Sequence, residues 1–315
     1  MNNEKIIMFQ NRLIKLHRHL GKQAKRLKVN CYRLYDHDLP EFPFCIEFYG
    51  DKLYVAEYKR RHGLTEEEHD AWLEQCMQVL TEVLQIESDN IFLKLRQRKP
   101  GRLGQYQKLE NSKQEFIVEE NGLKFYINLT DYLDSGLFLD HRNTREKVRA
   151  EAKNKMVLNL FAYTGSFSVY AAAGGAEKVV TVDLSKTYLQ WAERNMKLND
   201  FADENKYSFL HADVKQYLTI PKEASFDIIV MDPPTFSNSK RMKDFLDIQT
   251  DHVFLINECL RILKPGGALY FSTNFKQFIL YKEKIKSSSI KDITKQTTPF
   301  DFEGTLFRLC YRIEK

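Results

Sequence analysis

No stretch of the chain comes near the roughly 20 consecutive apolar residues that a membrane-crossing helix needs. Its opening residues, MNNEKIIMFQNRL, also lack the apolar centre of a secretion signal. Cysteine is scarce: there are five in 315 residues, far apart and never as a C-x-x-C pair. An odd, scattered set argues against a disulfide scaffold and against a zinc site, so no metal is expected. These absences imply a soluble protein of a reducing, cytoplasmic compartment with no membrane partner. Acid is missing from particular places. Residues 1–30 hold eight Lys or Arg against Glu4 alone, a net of +7, whereas the whole chain carries only +5. The run FLKLRQRKPGRLGQYQKL (92–109) has Lys94, Arg96, Arg98, Lys99, Arg102 and Lys108 and no acid. Two such runs, one interleaved with Tyr106, suit a polyanion, although solvated surface charge is the commoner fate of any single run.

A hydrophobic content of 43% and an aromatic content of 13% fit a globular protein, and 315 residues leave room for two cores. Phe9, Leu13, Leu16 and Leu20 recur at helical spacing among basic residues, which predicts a basic amphipathic helix within residues 1–30. Residues 31–115 mix strand-like segments, a Gly50-Asp51 turn and a helical stretch at 65–86 capped by Thr65 ahead of Glu68. That mixture predicts a small α+β domain. Asn121-Gly122 marks a hairpin within a connector at 116–135.

From residue 156 onward the pattern changes. MVLNLF, KVVTVDL, YSFLHAD, FDIIVMD and GALYFST alternate with helical segments, which predicts an α/β domain over 136–315 built on a parallel sheet. Ligands on such sheets bind beyond the carboxyl ends of the strands. That rule selects the turn Phe161 to Ser166, with Gly165 at its tightest point, and Asp183, Asp213 and Asp232. Each acid is able simply to cap the following helix. Asp183 stands eighteen residues after Gly165, where an acid accepts from two ribose hydroxyls, and Asp213 is placed for an adenine amine. The turn is not G-x-G-x-x-G and supplies neither a second glycine nor a cation for a pyrophosphate. An adenosine bearing an amino acid needs neither, so S-adenosylmethionine fits better than NAD. LKPGGALYFST, with a helix expected to stop at Pro265-Gly266-Gly267, agrees.

Together FAYTGSFS, TVDLSKTYLQWAERN, MDPPTFSNSKRM and DYLDSGLFLDHRNTR resemble the large-subunit rRNA guanine-N7 methyltransferases. The likeness is to the C-terminal half of the bifunctional 23S rRNA enzymes of Gram-negative bacteria, and runs from MFQNRL (8–13) through CYRLYDHDLPE and GQYQKL almost to the end. It implies a Rossmann-like class I methyltransferase fold, with a mostly parallel seven-stranded sheet, behind a small RNA-binding domain. By the same resemblance Phe161, Tyr163, Gly165 and Ser166 wrap the donor, with Asn159, Leu184 and Val214 beside them. Asp183 holds the ribose and Asp213 sits at the adenine. Phe138, Asp140 and Arg142 close over the methionine end, with Arg142 facing its carboxylate. Asp232, Pro233, Pro234 and Phe236 line the acceptor pocket. By their charge, and not by the resemblance, Lys94, Arg96, Arg98, Lys99, Arg102, Lys240 and Arg241 are expected to meet RNA. The substrate implied is 23S rRNA or a large-subunit precursor. The N-terminal half of those enzymes is absent from this sequence, so a separate guanine-N2 methyltransferase is an implied partner. Arg308 and Leu309 stand where a His–Asn pair is common.

Guanine N7 has a free lone pair and needs no base, so alignment and exclusion of water carry such a transfer. The two prolines stiffen the turn after Asp232, and Phe236 offers a base a stacking face. Cytosine C5 chemistry needs a cysteine thiolate, yet Cys259 and Cys310 fall in apolar patterns. His252 lies among Phe254, Leu255 and Ile256 and reads as packing. Transfer to guanine N2 or adenine N6 is the alternative, with Thr235 displacing the aromatic by one position from the usual amine-site pattern. An rRNA-binding assembly factor without turnover and an NAD dehydrogenase are further readings.

Overall fold

The computed structural model describes residues 3–58, 63–96, 114–220, 223–237, 245–305 and 307–315. They divide into two compact units. The first comprises 1–122, 127–135 and 300–305, and the second 123–126, 136–299 and 306–315.

In the first unit, helix α1 (Asn3–Leu27) buries Phe9, Leu13 and Ala24, exposes most of its basic residues and pairs the half-buried Arg12 with Asp38. Strands β1 (Cys31–Asp36), β2 (Phe44–Tyr49) and β3 (Lys52–Tyr58) form an antiparallel meander. Strand β4 (Ile91–Arg96) pairs parallel with β3, so a crossover is required between them. Helix α2 (Glu66–Leu84) supplies it, and Thr65 and Glu68 close a reciprocal capping box at its start. The core is aromatic, with Phe9 stacked on Phe42 at 4.4 Å and Phe44 on Trp72 at 5.4 Å. Next in the chain come β5 (Phe116–Glu120) and β6 (Leu123–Ile127). Both Asn121 and Gly122 between them take positive φ, 52° and 77°, the backbone that a two-residue hairpin turn demands.

The second unit runs α3 (Arg142–Glu151), β7 (Met156–Leu160), α4 (Ser166–Ala173), β8 (Lys178–Asp183), α5 (Lys186–Leu198), β9 (Tyr207–His211), α6 (Val214–Thr219) and β10 (Phe226–Met231). There follow the short strands β11 (Phe236–Ser237) and β12 (Leu246–Asp247), then α7 (Ile248–Ile262), β13 (Leu263–Thr273), β14 (Ser289–Asp292), α8 (Thr294–Thr297) and β15 (Leu309–Glu314). The sheet order is β14-β15-β13-β10-β7-β8-β9. Strands β9, β8, β7, β10 and β13 are parallel neighbours, and β15 runs antiparallel to both β13 and β14. The expected seven-stranded, mostly parallel sheet is therefore present. One boundary differs: α7 ends at Ile262, before the Pro-Gly-Gly stretch. Leu263 already pairs with Phe226, and the register shifts before Ile228 meets Ala268. Gly266, at φ 74°, serves that irregularity inside β13 rather than a helix stop.

Gly136 illustrates how tightly the second unit packs. Its φ is 101°, and a Cβ there would lie 2.4 Å from the Trp191 ring. That ring is fixed by Nε1 donating to the Tyr126 carbonyl at 3.0 Å. Gly136→Ala should therefore cost about 2–4 kcal/mol in chemical denaturation. Gly50→Ala, at φ 65° with open space around it, should cost only about 1–2 kcal/mol. Equal losses would contradict the packing described.

Candidate active site

The first three parallel strands of the second unit deliver a loop and two acids to one edge of the sheet. After β7 the backbone enters the left-handed region at Phe161 (φ 53°), Tyr163 (φ 51°) and Gly165 (φ 73°). Only the glycine does so at little cost, and such strain persists where the surroundings impose it. Those surroundings are visible. Asp183 accepts the Tyr163 N–H at 2.9 Å on one carboxylate oxygen and the Ser185 N–H at 2.8 Å on the other. The Ala162 N–H reaches the Val182 carbonyl at 3.2 Å. Thr164 donates its hydroxyl to the Gly136 carbonyl at 2.5 Å, and Asn195 donates to the Thr164 carbonyl at 2.9 Å. Gly165 lies against α5, where a Cβ would stand 2.6 Å from that of Ala192. Burial pushes the Asp183 carboxyl above its ordinary value, against the pull of the two amides.

Several expected residues gather at this edge. The Phe138 ring, 41% exposed, stands 5.1 Å from that of Tyr163, which meets Tyr188 edge-on at 4.6 Å. Arg142 is buried at the first turn of α3, and Ser166 opens α4. Leu184 follows Asp183, and its carbonyl lies 2.9 Å from His211 Nε2. Asp213 caps α6 by accepting the Lys215 N–H at 2.8 Å, and Val214 is buried behind it. Asn159 faces inward instead. Its amide donates to Ser168 at 2.9 Å, and Ser168 meets Thr181 at 2.8 Å. It fastens α4 to the sheet.

Asp232 ends β10 next to this loop's strand. Its Oδ1 accepts the Ser272 hydroxyl at 2.5 Å, and its Oδ2 lies 3.2 Å from His141 Nε2. Burial alone would push this carboxyl up. His141, the Ser272 hydroxyl and the Arg308 charge outweigh burial and hold it below the ordinary carboxylate value. After Pro233 and Pro234, Thr235 donates to the Asn274 side chain at 2.7 Å, and Phe236 pairs with Asp247 in the β11–β12 ribbon. The half-buried Phe236 ring lies 6.0 Å from that of Phe245, which is 61% exposed. His141 was not among the expected site residues. It lies inside the quoted GLFLDHR, but only proximity to Asp232 reveals its use.

Two expected RNA contacts are corrected. Lys94 is buried, and its ammonium donates to the carbonyls of Thr130 and Tyr132. Arg96 donates to the Leu133 carbonyl at 3.0 Å and pairs with Asp134 at 2.9 Å. Alternate residues of a strand share one face, and here that face satisfies the segment 130–134 rather than phosphate. Arg98, Lys99, Arg102, Lys240 and Arg241 lie outside the described residues. His252 is fully buried, with Nδ1 bonded to the Gln249 carbonyl at 2.8 Å and Nε2 accepting from Tyr281 N–H at 3.2 Å. It packs.

A sheet of this order, with a strained loop and strand-end acids at the carboxyl edge, defines a class I methyltransferase architecture. Residues 50–303 match the family model of S-adenosylmethionine-dependent methyltransferases. Ribosomal RNA large subunit methyltransferase K of Neisseria meningitidis serogroup B is 47% identical over 310 residues, which cover 98% of this chain and 87% of that protein. Ribosomal RNA large subunit methyltransferase K/L of Magnetococcus marinus is 44% identical over 97% of this chain, but only 42% of that protein is covered. The chain belongs to the S-adenosylmethionine-dependent methyltransferase family and, within it, to the group that includes the Neisseria K protein. Among solved structures, SMU.776, a methyltransferase complexed with S-adenosylhomocysteine, superposes with a TM-score of 0.75 at 24% identity, over 97% of this chain and 82% of that one. That likeness is one of fold.

The residues fit this family's cofactor. The strained backbone between Phe161 and Gly165, the half-buried Asp183 carboxylate and the exposed Phe138 ring together offer polar acceptors and an apolar face for an adenosine. Thiol chemistry has no place here. All five cysteines are buried free thiols, and burial pushes the Cys259 thiol far up and the Cys310 thiol to about 11. The native protein should therefore resist iodoacetamide at neutral pH, while all five react in denaturant. Rapid native labelling of Cys259 or Cys310 would contradict this.

Proposed function

We propose that this chain methylates N7 of a guanosine in large-subunit ribosomal RNA, with S-adenosylmethionine as donor. The observation that carries the reading is the state of Asp232. It is ionised, and each of its oxygens is taken up, by Ser272 on one side and His141 on the other. Such a carboxylate is an acceptor and a poor general base, which suits a nucleophile that arrives with its lone pair free. S-adenosylmethionine supplies an electrophilic methyl group on a sulfonium centre. The protein's task is then placement and exclusion of water. Asp183 accepts from the ribose hydroxyls, the 161–166 backbone lines the adenosine, and Asp213 lies at the adenine. Phe138, Asp140 and Arg142 enclose the methionine end. The stiff Asp232-Pro-Pro turn and the Phe236 and Phe245 rings receive a base drawn out of its stack, at a stacking gain of about 1–3 kcal/mol.

Two observations support RNA as the acceptor. The relatives' names specify large-subunit ribosomal RNA. On α1, Lys15, Arg18, Lys22, Lys25 and Arg26 are all exposed. Helical geometry puts them within about 100° of arc, opposite the buried face, along about 16 Å of axis. The 31–115 segment, with α1, is the proposed RNA-binding part.

Transfer to an exocyclic amine, guanine N2 or adenine N6, is a second reading. The same observation favours it, because an ionised Asp232 beside two prolyl residues is a good acceptor for amine hydrogens. The relatives' names give no acceptor atom and support both readings alike. Incubation with labelled donor and unmodified large-subunit rRNA, followed by nucleoside mass spectrometry, separates them. The expected product is 7-methylguanosine. N2-methylguanosine or N6-methyladenosine would replace the N7 reading with the amine one, and donor binding without any transfer would favour an assembly factor.

The donor site makes its own prediction. Asp183 must be ionised to accept hydroxyl donors, and its folded pKa is raised. Affinity for S-adenosylhomocysteine should thus be full near neutrality and fall as pH drops through that raised value, earlier than an ordinary carboxylate would dictate. Asp183→Asn should lower the affinity by more than about tenfold and flatten this acid limb. Calorimetry giving unchanged affinity would remove Asp183 from the site.

A further inference from the structure

We infer that Arg308 and His141 form a positioning relay that fixes the Asp232 carboxylate through a single histidine tautomer. Arg308 precedes β15, and its side chain is 3% exposed. A guanidinium has donors only. Nη1 lies 2.9 Å from His141 Nδ1 and 3.2 Å from the Thr144 hydroxyl. Nη2 donates to the Thr297 carbonyl at 2.9 Å and its hydroxyl at 3.1 Å. Nδ1 of His141 must therefore accept, and the ring proton sits on Nε2. A proton on Nδ1 would set donor against donor.

The consequence is directional. Nε2–H points at Asp232 Oδ2, 3.2 Å away, with Asp140 Oδ2 more distant at 3.7 Å. The ring cannot swing freely: it is 5% exposed and lies edge-on to Phe167 at 5.6 Å. Ser272 holds the other oxygen, so the carboxylate is clamped from two elements. The antiparallel course of β15 makes the relay reachable. Leu309 pairs with Thr273, which brings the start of β15 to the edge where the parallel strands end. In the opposite tautomer a lone pair would face the Asp232 lone pair, and the carboxylate would turn away. The charge of Arg308 thus reaches Asp232 across a ring that carries one proton in one place.

The relay's role in methyl transfer rests on the reading above, whereas the tautomer itself does not. The test uses the full chain labelled with 15N in its histidine rings, with His141→Gln to assign the resonance. Wild type should show His141 as the Nε2–H tautomer alone. Arg308→Met should mix the tautomers and lower kcat on rRNA by about tenfold to a hundredfold, leaving S-adenosylhomocysteine affinity unchanged. Arg308→Lys, which keeps a charged donor, should restore part of both. A wild-type His141 protonated on Nδ1, or on both nitrogens, would overturn the inference even if both Arg308 variants misfolded. An altered tautomer with wild-type kcat would remove the positioning role. If rRNA accepts no methyl group at all, the functional reading fails, and the spectrum still decides the relay.

Discussion

The proposed donor side depends on one carboxylate accepting two backbone amides. Asp183 ties the Tyr163 N–H of the loop after β7 to the Ser185 N–H at the start of α5. That tie helps to hold a loop with two non-glycine residues at positive φ, each of which costs on the order of 1–3 kcal/mol. Asn195 and Thr164 brace the same loop from behind. The acid therefore shapes the cradle first and is available to a ligand second. An acid that only capped the following helix would explain the Ser185 bond and leave the Tyr163 bond unexplained.

The proposed acceptor side follows from strand direction. Five parallel strands bring their carboxyl ends to one edge, which collects Asp183 and Asp232 there. The antiparallel β15 brings its amino end to that edge instead. Residues distant in the chain, Asp232, Ser272, His141 and Arg308, meet for this reason. The result is a half-buried carboxylate kept ionised, with both oxygens engaged. Proton abstraction is a poor role for it, and holding a position is a good one.

Much of this was legible in the sequence, and for identifiable reasons. The strand–helix alternation after residue 156 reports a sheet covered on both faces, and the strand-end rule turns that into Asp183, Asp213 and Asp232. Thr65 with Glu68, and Asn121 with Gly122, are local signals whose partners lie three residues apart or fewer, and both appear as read. What failed depended on tertiary partners. Lys94 and Arg96 look like free cations until the carbonyls of 130–134 are seen to consume them. Asn159 sits beside the expected loop but faces inward. The positive φ of Phe161 and Tyr163 has no signature in residue type, because neither is glycine. His141 and Arg308 are separated by 166 intervening residues, so no local pattern joins them.

A crystal structure with S-adenosylhomocysteine tests the central claim most directly, because it places the ligand against every residue of the cradle at once. The adenosine should lie over the Phe161–Gly165 loop, with the ribose hydroxyls on Asp183 and the sulfur directed toward Asp232. A ligand bound elsewhere, or one whose sulfur points away from Asp232 with the ribose free of Asp183, would contradict it.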